Sequence, residues 1–249
     1  MRRVVDKIKP AEGFSHFLHI ALTVLLPVLL FVFVRIDLVG LAVSLVLLSK
    51  WRMFAVKPRH WPANIRANAI DIIVGLSAIV FMTHSGTQTF QFLWAILYGL
   101  WLLVLKPGAG VLRVSAQSLI GQFAGLTALF IAYGDANLVV LVVMSWLICY
   151  SGARHFFTSF EESLTRFLSY VWGWFAAALI WILGHWLLFY GVIAQPTLIL
   201  SVIAISLGSL YYLAETDRLS VLLRRQIVFV ALAVIIIVLT FSDWGDKAV

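Results

Sequence analysis

FLSYVWGWFAAALIWILGHWLLFY, residues Phe167 to Tyr190, runs for 24 residues without an Asp, Glu, Lys or Arg. A helix needs about 20 predominantly apolar residues to cross the hydrocarbon of a bilayer, so this stretch reads as a membrane span. The rest of the chain follows the same pattern. Of its 249 residues, 63% are hydrophobic and 12% are charged, and the mean hydropathy is +1.03. A soluble domain is about a quarter charged. So few charges cannot coat so much apolar side chain, which excludes a water-soluble globule and predicts an all-α polytopic membrane bundle.

Seven further spans are predicted at Ser15 to Val34, Ala69 to Met82, Phe90 to Leu105, Val114 to Tyr133, Leu138 to Ser151, Thr197 to Leu213 and Ile227 to Phe241. Another is expected between Asp37 and Phe54, joined to the first by Arg35-Ile36-Asp37, a connection long enough for a helical hairpin. That makes nine transmembrane helices in one integral membrane domain over 1–249, with no soluble domain. The first apolar run is too long for a signal-peptide core and is expected to remain as an uncleaved helix.

Charge supplies an independent test of the count, because cytoplasmic loops carry the excess of Lys and Arg. With nine spans, sixteen of the 18 basic residues fall on the N-terminal side: Arg2, Arg3, Lys7, Lys9, Lys50, Arg52, Lys57, Arg59, Arg66, Lys106, Arg113, Arg154, Arg166, Arg218, Arg224 and Arg225. Arg35 and Lys247 fall on the other. The N-terminus is therefore expected in the cytoplasm and the C-terminus outside, in a cytoplasmic membrane. Trp51, Trp61, Trp172 and Trp174 at one set of span ends, and Trp94, Trp186 and Trp244 at the other, are read as interfacial anchors. The net charge of +7 is spread in small groups between spans and forms no nucleic-acid-binding stripe.

Polar residues inside the spans are the candidate chemistry. With Pro62 in the first turn of a helix, Asn64, Asn68, Asp71 and Gly75 fall within roughly 60° of one another and form one stripe. Asp71 is expected to face the bundle interior with a cationic partner, and Arg52, Arg113 and Arg154 are the candidates. Two readings follow: a lock between helices, or a polar binding site. Ser118, Gly121, Gln122 and Gly125 make a second stripe that includes a Gly-x-x-x-Gly approach surface, and Gln117 and Gln122 need hydrogen-bond partners. Ser201, Gly208, Tyr212 and Glu215 make a third, with Glu215 spaced to pair with Arg218. Ser118, Gln122 and Tyr212 are the candidate lining residues of a cavity.

The single cysteine, Cys149, lies in an apolar run and reads as a packing residue. The six histidines form no metal-binding cluster and no matched haem pair, so neither metal nor cofactor is expected. Residues Ser151 to Arg166 mix aromatics and charge and are expected to lie against headgroups or to cover a cavity. The paired aspartate-rich motifs of intramembrane prenyltransferases are missing, since Asp71 stands with two asparagines and the loop offers only Glu161 and Glu162.

Three functions fit this reading. The first is a carrier or lipid-handling protein with a polar site open to the cytoplasm. The second is an intramembrane enzyme acting on a phosphate-bearing lipid, held by Lys57, Arg59, Arg66 and Arg154. The third is a scaffold or subunit of a membrane complex. The expected partners are membrane lipids, a small-molecule or lipid substrate, and further copies or subunits, with no nucleic acid.

Overall fold

The computed structural model describes residues 14–108 and 110–243, with side chains from Ile20 onward. His16, His19, Trp244 and Lys247, and the basic residues before Phe14, lie outside the described side chains. Nine α-helices occur among the described residues: α1 (Phe14–Arg35), α2 (Val39–Leu48), α3 (Trp61–Thr83), α4 (Gln88–Leu100), α5 (Val111–Tyr133), α6 (Leu138–Thr158), α7 (Thr165–Leu183), α8 (Gln195–Glu215) and α9 (Val221–Phe241). Seven segments are long and apolar enough to cross a membrane, from the one containing α3 to α9. The fold is thus an all-α bundle of the multi-pass membrane kind.

Its surface states the solvent plainly. Leu222, Phe229, Ile236 and Phe241 on α9 are each more than 60% exposed, and similar side chains stud every other helix. Apolar area on this scale has no place in water, and it suits lipid tails.

Helix boundaries follow local chemistry. Pro62 and Pro196 sit in the first turns of α3 and α8, where a missing N–H costs nothing. Thr87, Asn137 and Ser220 accept backbone N–H groups at the starts of α4, α6 and α9. Asp37 and Asp217, with φ of 58° and 53°, turn the chain left-handed after α1 and α8.

Three expected spans differ from the observed helices. Between Asp37 and Phe54 the structure forms the 10-residue α2 and then a 3₁₀ turn at Trp51–Met53. At 1.5 Å per residue α2 covers about 15 Å, half the hydrocarbon thickness. The Phe167 to Tyr190 run leaves the helix at Leu183, and its last residues enter a two-stranded hairpin, Phe189–Tyr190 with Ile193–Ala194, turned at Gly191 with φ +63°. Hydropathy could not show this, because the hairpin is as apolar as the helix. Its free backbone groups are paired instead: Gln195 N–H with Leu188 O, and Asp243 N–H with Phe189 O. Conversely, α6 continues seven residues beyond Ser151 to Thr158, so most of the expected surface loop is helical.

Two apolar cores result. One gathers Leu30, Val46, Ile79, Met82 and Trp101 from α1 to α4 and the turn after α4, and the other gathers Leu126, Leu141, Cys149, Ile180 and Leu200 from α5 to α8. Ile73 packs against both. The crossing of α3 and α5 joins them, and glycines make it close. A Cβ on Gly121 would lie 2.8 Å from Ile70 Cγ2, and one on Gly125 would lie 2.6 Å from Ile73 Cγ2.

Candidate functional site

Two polar arrangements stand out, one at the basic end of the bundle and one inside it. At the basic end, Asp71 Oδ2 lies 2.9 Å from Lys50 Nζ and 3.0 Å from Lys106 Nζ. Lys50 follows α2, and Lys106 follows a π-helical turn at Trp101–Leu105 that extends α4. The partners of Asp71 are thus lysines rather than Arg52, Arg113 or Arg154, none of which forms an ion pair among the described residues. Arg154 leaves Nη1 buried without a partner and lines a hollow with Glu161, Glu162 and Arg166 in the α6–α7 connection. The spacing of basic residues could not select among them, because six or more cations end helices on this side.

The asparagines of the same stripe serve the backbone. Asn64 Nδ2 donates to Met53 O at 3.1 Å, which holds the 3₁₀ turn onto α3, and Asn68 Nδ2 donates to Asn64 O at 2.9 Å. Gln117 continues the polar layer: its Nε2 donates to Leu105 O and Gly108 O, where the π-turn ends. His155 Nε2 meets Gln117 Oε1 at 2.9 Å. Lys50, Asp71, Lys106, Gln117 and His155 therefore tie together the α2–α3 and α4–α5 connections and α6. Among the described residues Glu215 and Arg218 make no ion pair with each other, since α8 stops at Glu215 and the left-handed Asp217 turns Arg218 away from the helical i+3 position.

The second arrangement is a cavity of about 670 Å³ bordered by α5, α6, α7 and α8. Its volume falls within the roughly 300–1,000 Å³ of small-molecule sites. Ser118 and Gln122 lie in its wall, as does Gly208. Tyr212 does not: the neighbouring Tyr211 takes that place on α8. Trp172, expected as an interfacial anchor, is instead part of the wall and donates its indole N–H to Gln122 Oε1 at 2.9 Å. The side-chain hydroxyl of Ser118 donates to Gly152 O on α6. The rest of the wall is apolar, with Phe156, Phe175, Ile203 and Leu207 among it, and it contains no charged side chain.

Val171, Phe175 and Leu207 line this cavity and are also 50%, 43% and 52% exposed. The cavity therefore opens sideways between α7 and α8, toward whatever surrounds the bundle. Toward the α6–α7 connection it is closed by aromatics. Phe156, Phe157 and Phe160 set their rings edge-on around Tyr211, and the Tyr211 hydroxyl donates to Glu162 Oε2. That hydrogen bond, with the backbone N–H of Leu164, holds the Glu162 carboxyl below its ordinary value.

One group in the wall is left incomplete. Gln122 is 4% exposed and its Nε2 has no acceptor. A buried donor without a partner costs about 1–3 kcal/mol.

Among the described residues no group of three or more His, Cys, Asp or Glu is placed to hold a metal ion. Compared with known proteins, the chain matches no family model, no curated protein and no solved structure.

Proposed function

We propose that this chain is a lipid-handling membrane protein that admits an apolar molecule from the bilayer into the cavity between α5 and α8. The sideways opening carries the reading. Its rim, Val171, Phe175 and Leu207, is apolar and exposed, so a molecule can pass from lipid to cavity without crossing a polar surface. The chain is further read as nine membrane segments, with the N-terminus and the basic connections in the cytoplasm. In this reading α2 brings the chain back from Asp37 to the basic side, where Lys50 anchors it to α3.

The polar site at Asn64, Asn68 and Asp71 is a weaker candidate for ligand binding. Asp71 already faces two ammonium groups, and both asparagines hold backbone carbonyls. This supports the role of a lock that joins three elements at the basic end.

Filling the cavity tests the proposal. Ala204 lines it from α8, and Ala204→Phe should displace the occupant without touching the locks. Native mass spectrometry of the detergent-purified protein should find bound lipid on the wild type and a several-fold loss on Ala204→Phe. Equal occupancy in both, or none in either, would remove the cavity from the function.

A further inference from the structure

The amide of Gln122 is oriented. An indole N–H can only donate, so Trp172 must face Oε1, and this turns the N–H₂ of Gln122 away from it. The other polar side chains of the wall have their protons committed: Ser118 to Gly152 O, Tyr211 to Glu162 and Trp172 to Gln122 itself. Only Gln122 among them retains donors without an acceptor.

Depth and charge restrict what can supply that acceptor. Gln122 is eleven residues from the start of α5 at Val111 and eleven from its end at Tyr133, so it lies at mid-height, roughly 16 Å from either end. A hydrated or charged headgroup would be costly at that depth, and the wall holds no opposite charge to receive one. An occupant that completes the amide is therefore apolar along its length and carries a neutral oxygen.

We propose that the cavity takes a neutral, carbonyl-bearing lipid, of the class of long-chain ketones, esters and lipophilic quinones, whose carbonyl oxygen accepts from the Gln122 amide. This rests on the lipid-handling reading and adds to it a polar point of recognition. Phospholipid tails, which lack an acceptor at this depth, fill the same space without completing the amide.

The test compares heptadecanone with heptadecane on the purified wild-type protein in detergent, with binding followed by native mass spectrometry. One neutral hydrogen bond corresponds to about a tenfold preference for the ketone. With carbon-13 at the carbonyl, the bound ketone should also show a lowered carbonyl stretch in the infrared. Gln122→Met, which keeps volume and removes the donors, should bring both probes to equal affinity and abolish the infrared shift. Equal binding of ketone and alkane to the wild type would overturn the recognition by Gln122 and leave the lipid-handling reading standing. Binding of neither, with Ala204→Phe indistinguishable from wild type, would bring down both. The wild-type comparison decides even where Gln122→Met does not fold.

Discussion

Lys50 Nζ lies 2.9 Å from Asp71 Oδ2, where the chain leaving α2 meets the first half of α3. Lys106 reaches the same oxygen from the end of the α4 extension, so one carboxylate holds two cations and three segments. Asp71→Asn removes the anion and leaves two lysines facing each other. Breaking a fully buried pair costs about 3–5 kcal/mol, but Lys106 is 38% exposed, and water there screens part of the effect. A loss of about 2 kcal/mol is expected, read as a lower melting temperature in detergent. Adding Lys50→Met should restore part of it by removing the more buried orphan. An Asp71→Asn protein that melts like wild type would refute the lock.

The crossing of α3 and α5 should tolerate no added side chain. Gly125→Leu must displace Ile73 Cγ2 from 2.6 Å and Ile148 Cγ2 from 3.0 Å, and both neighbours are β-branched and stiff at χ1. Forcing extra methylenes into such a contact costs about 1–3 kcal/mol. Gly208→Ala on α8 serves as the control, because its new Cβ would meet only Phe156 at ordinary contact distance, 3.5 Å. Thermal unfolding of the two variants should separate them clearly. Equal stability would mean that the two cores do not depend on this approach.

The aromatic closure of the cavity should weaken in acid. Tyr211 donates to Glu162, and this lowers the carboxyl from its ordinary 4.5 in the folded protein. A group whose folded pKa is depressed contributes stability that is fully present above its unfolded value and lost as pH falls through the folded one. The contribution therefore holds at neutral pH and disappears on acidification below about 4.5. Tyr211→Phe removes the largest cause of the shift and should flatten this part of the pH profile of thermal stability. Superimposable profiles for wild type and Tyr211→Phe would show that Glu162 does not hold the closure.

The architecture was legible from the sequence wherever hydropathy and punctuation agreed. Pro62 marked the start of α3, and Gly121 and Gly125 marked a close crossing. Gln122 and Ser118 could be singled out as polar residues of one helical face, which is the face that turns to the cavity. What remained hidden depended on neighbours distant in sequence. The indole of Trp172 looks the same whether it anchors at an interface or donates to Gln122, fifty residues away. Tyr211 and Tyr212 are adjacent, and only the rotation of α8 decides which one faces the cavity. Asp71 had many cations within reach by span order, and the π-turn that places Lys106 beside it leaves no pattern in composition.

Membrane topology is the most decisive measurement still to be made, because every assignment of side depends on it. Sixteen of the 18 basic residues fall on one side when nine segments alternate, and two fall on the other. The contacts of the basic end agree with this grouping: Lys50, Asp71 and Lys106 meet there, Gln117 reaches His155, and Tyr211 reaches Glu162. The α2–α3, α4–α5 and α6–α7 connections and the ends of α6 and α8 thus carry linked polar contacts, as one shared end requires. The difficulty is α2, whose ten residues are too few to cross the hydrocarbon alone. If it nonetheless turns the chain from one side to the other, a reporter active only in the cytoplasm should be active in the loop at Lys57 and silent after Val249. A fusion at Asp37 separates the alternatives, since it should be silent if α1 crosses and α2 returns. Activity at Asp37 together with Lys57 would mean that α1 and α2 do not form a crossing hairpin, and the side of the N-terminus would then have to be assigned anew, while the seven spans after Lys57 still leave Val249 opposite to it.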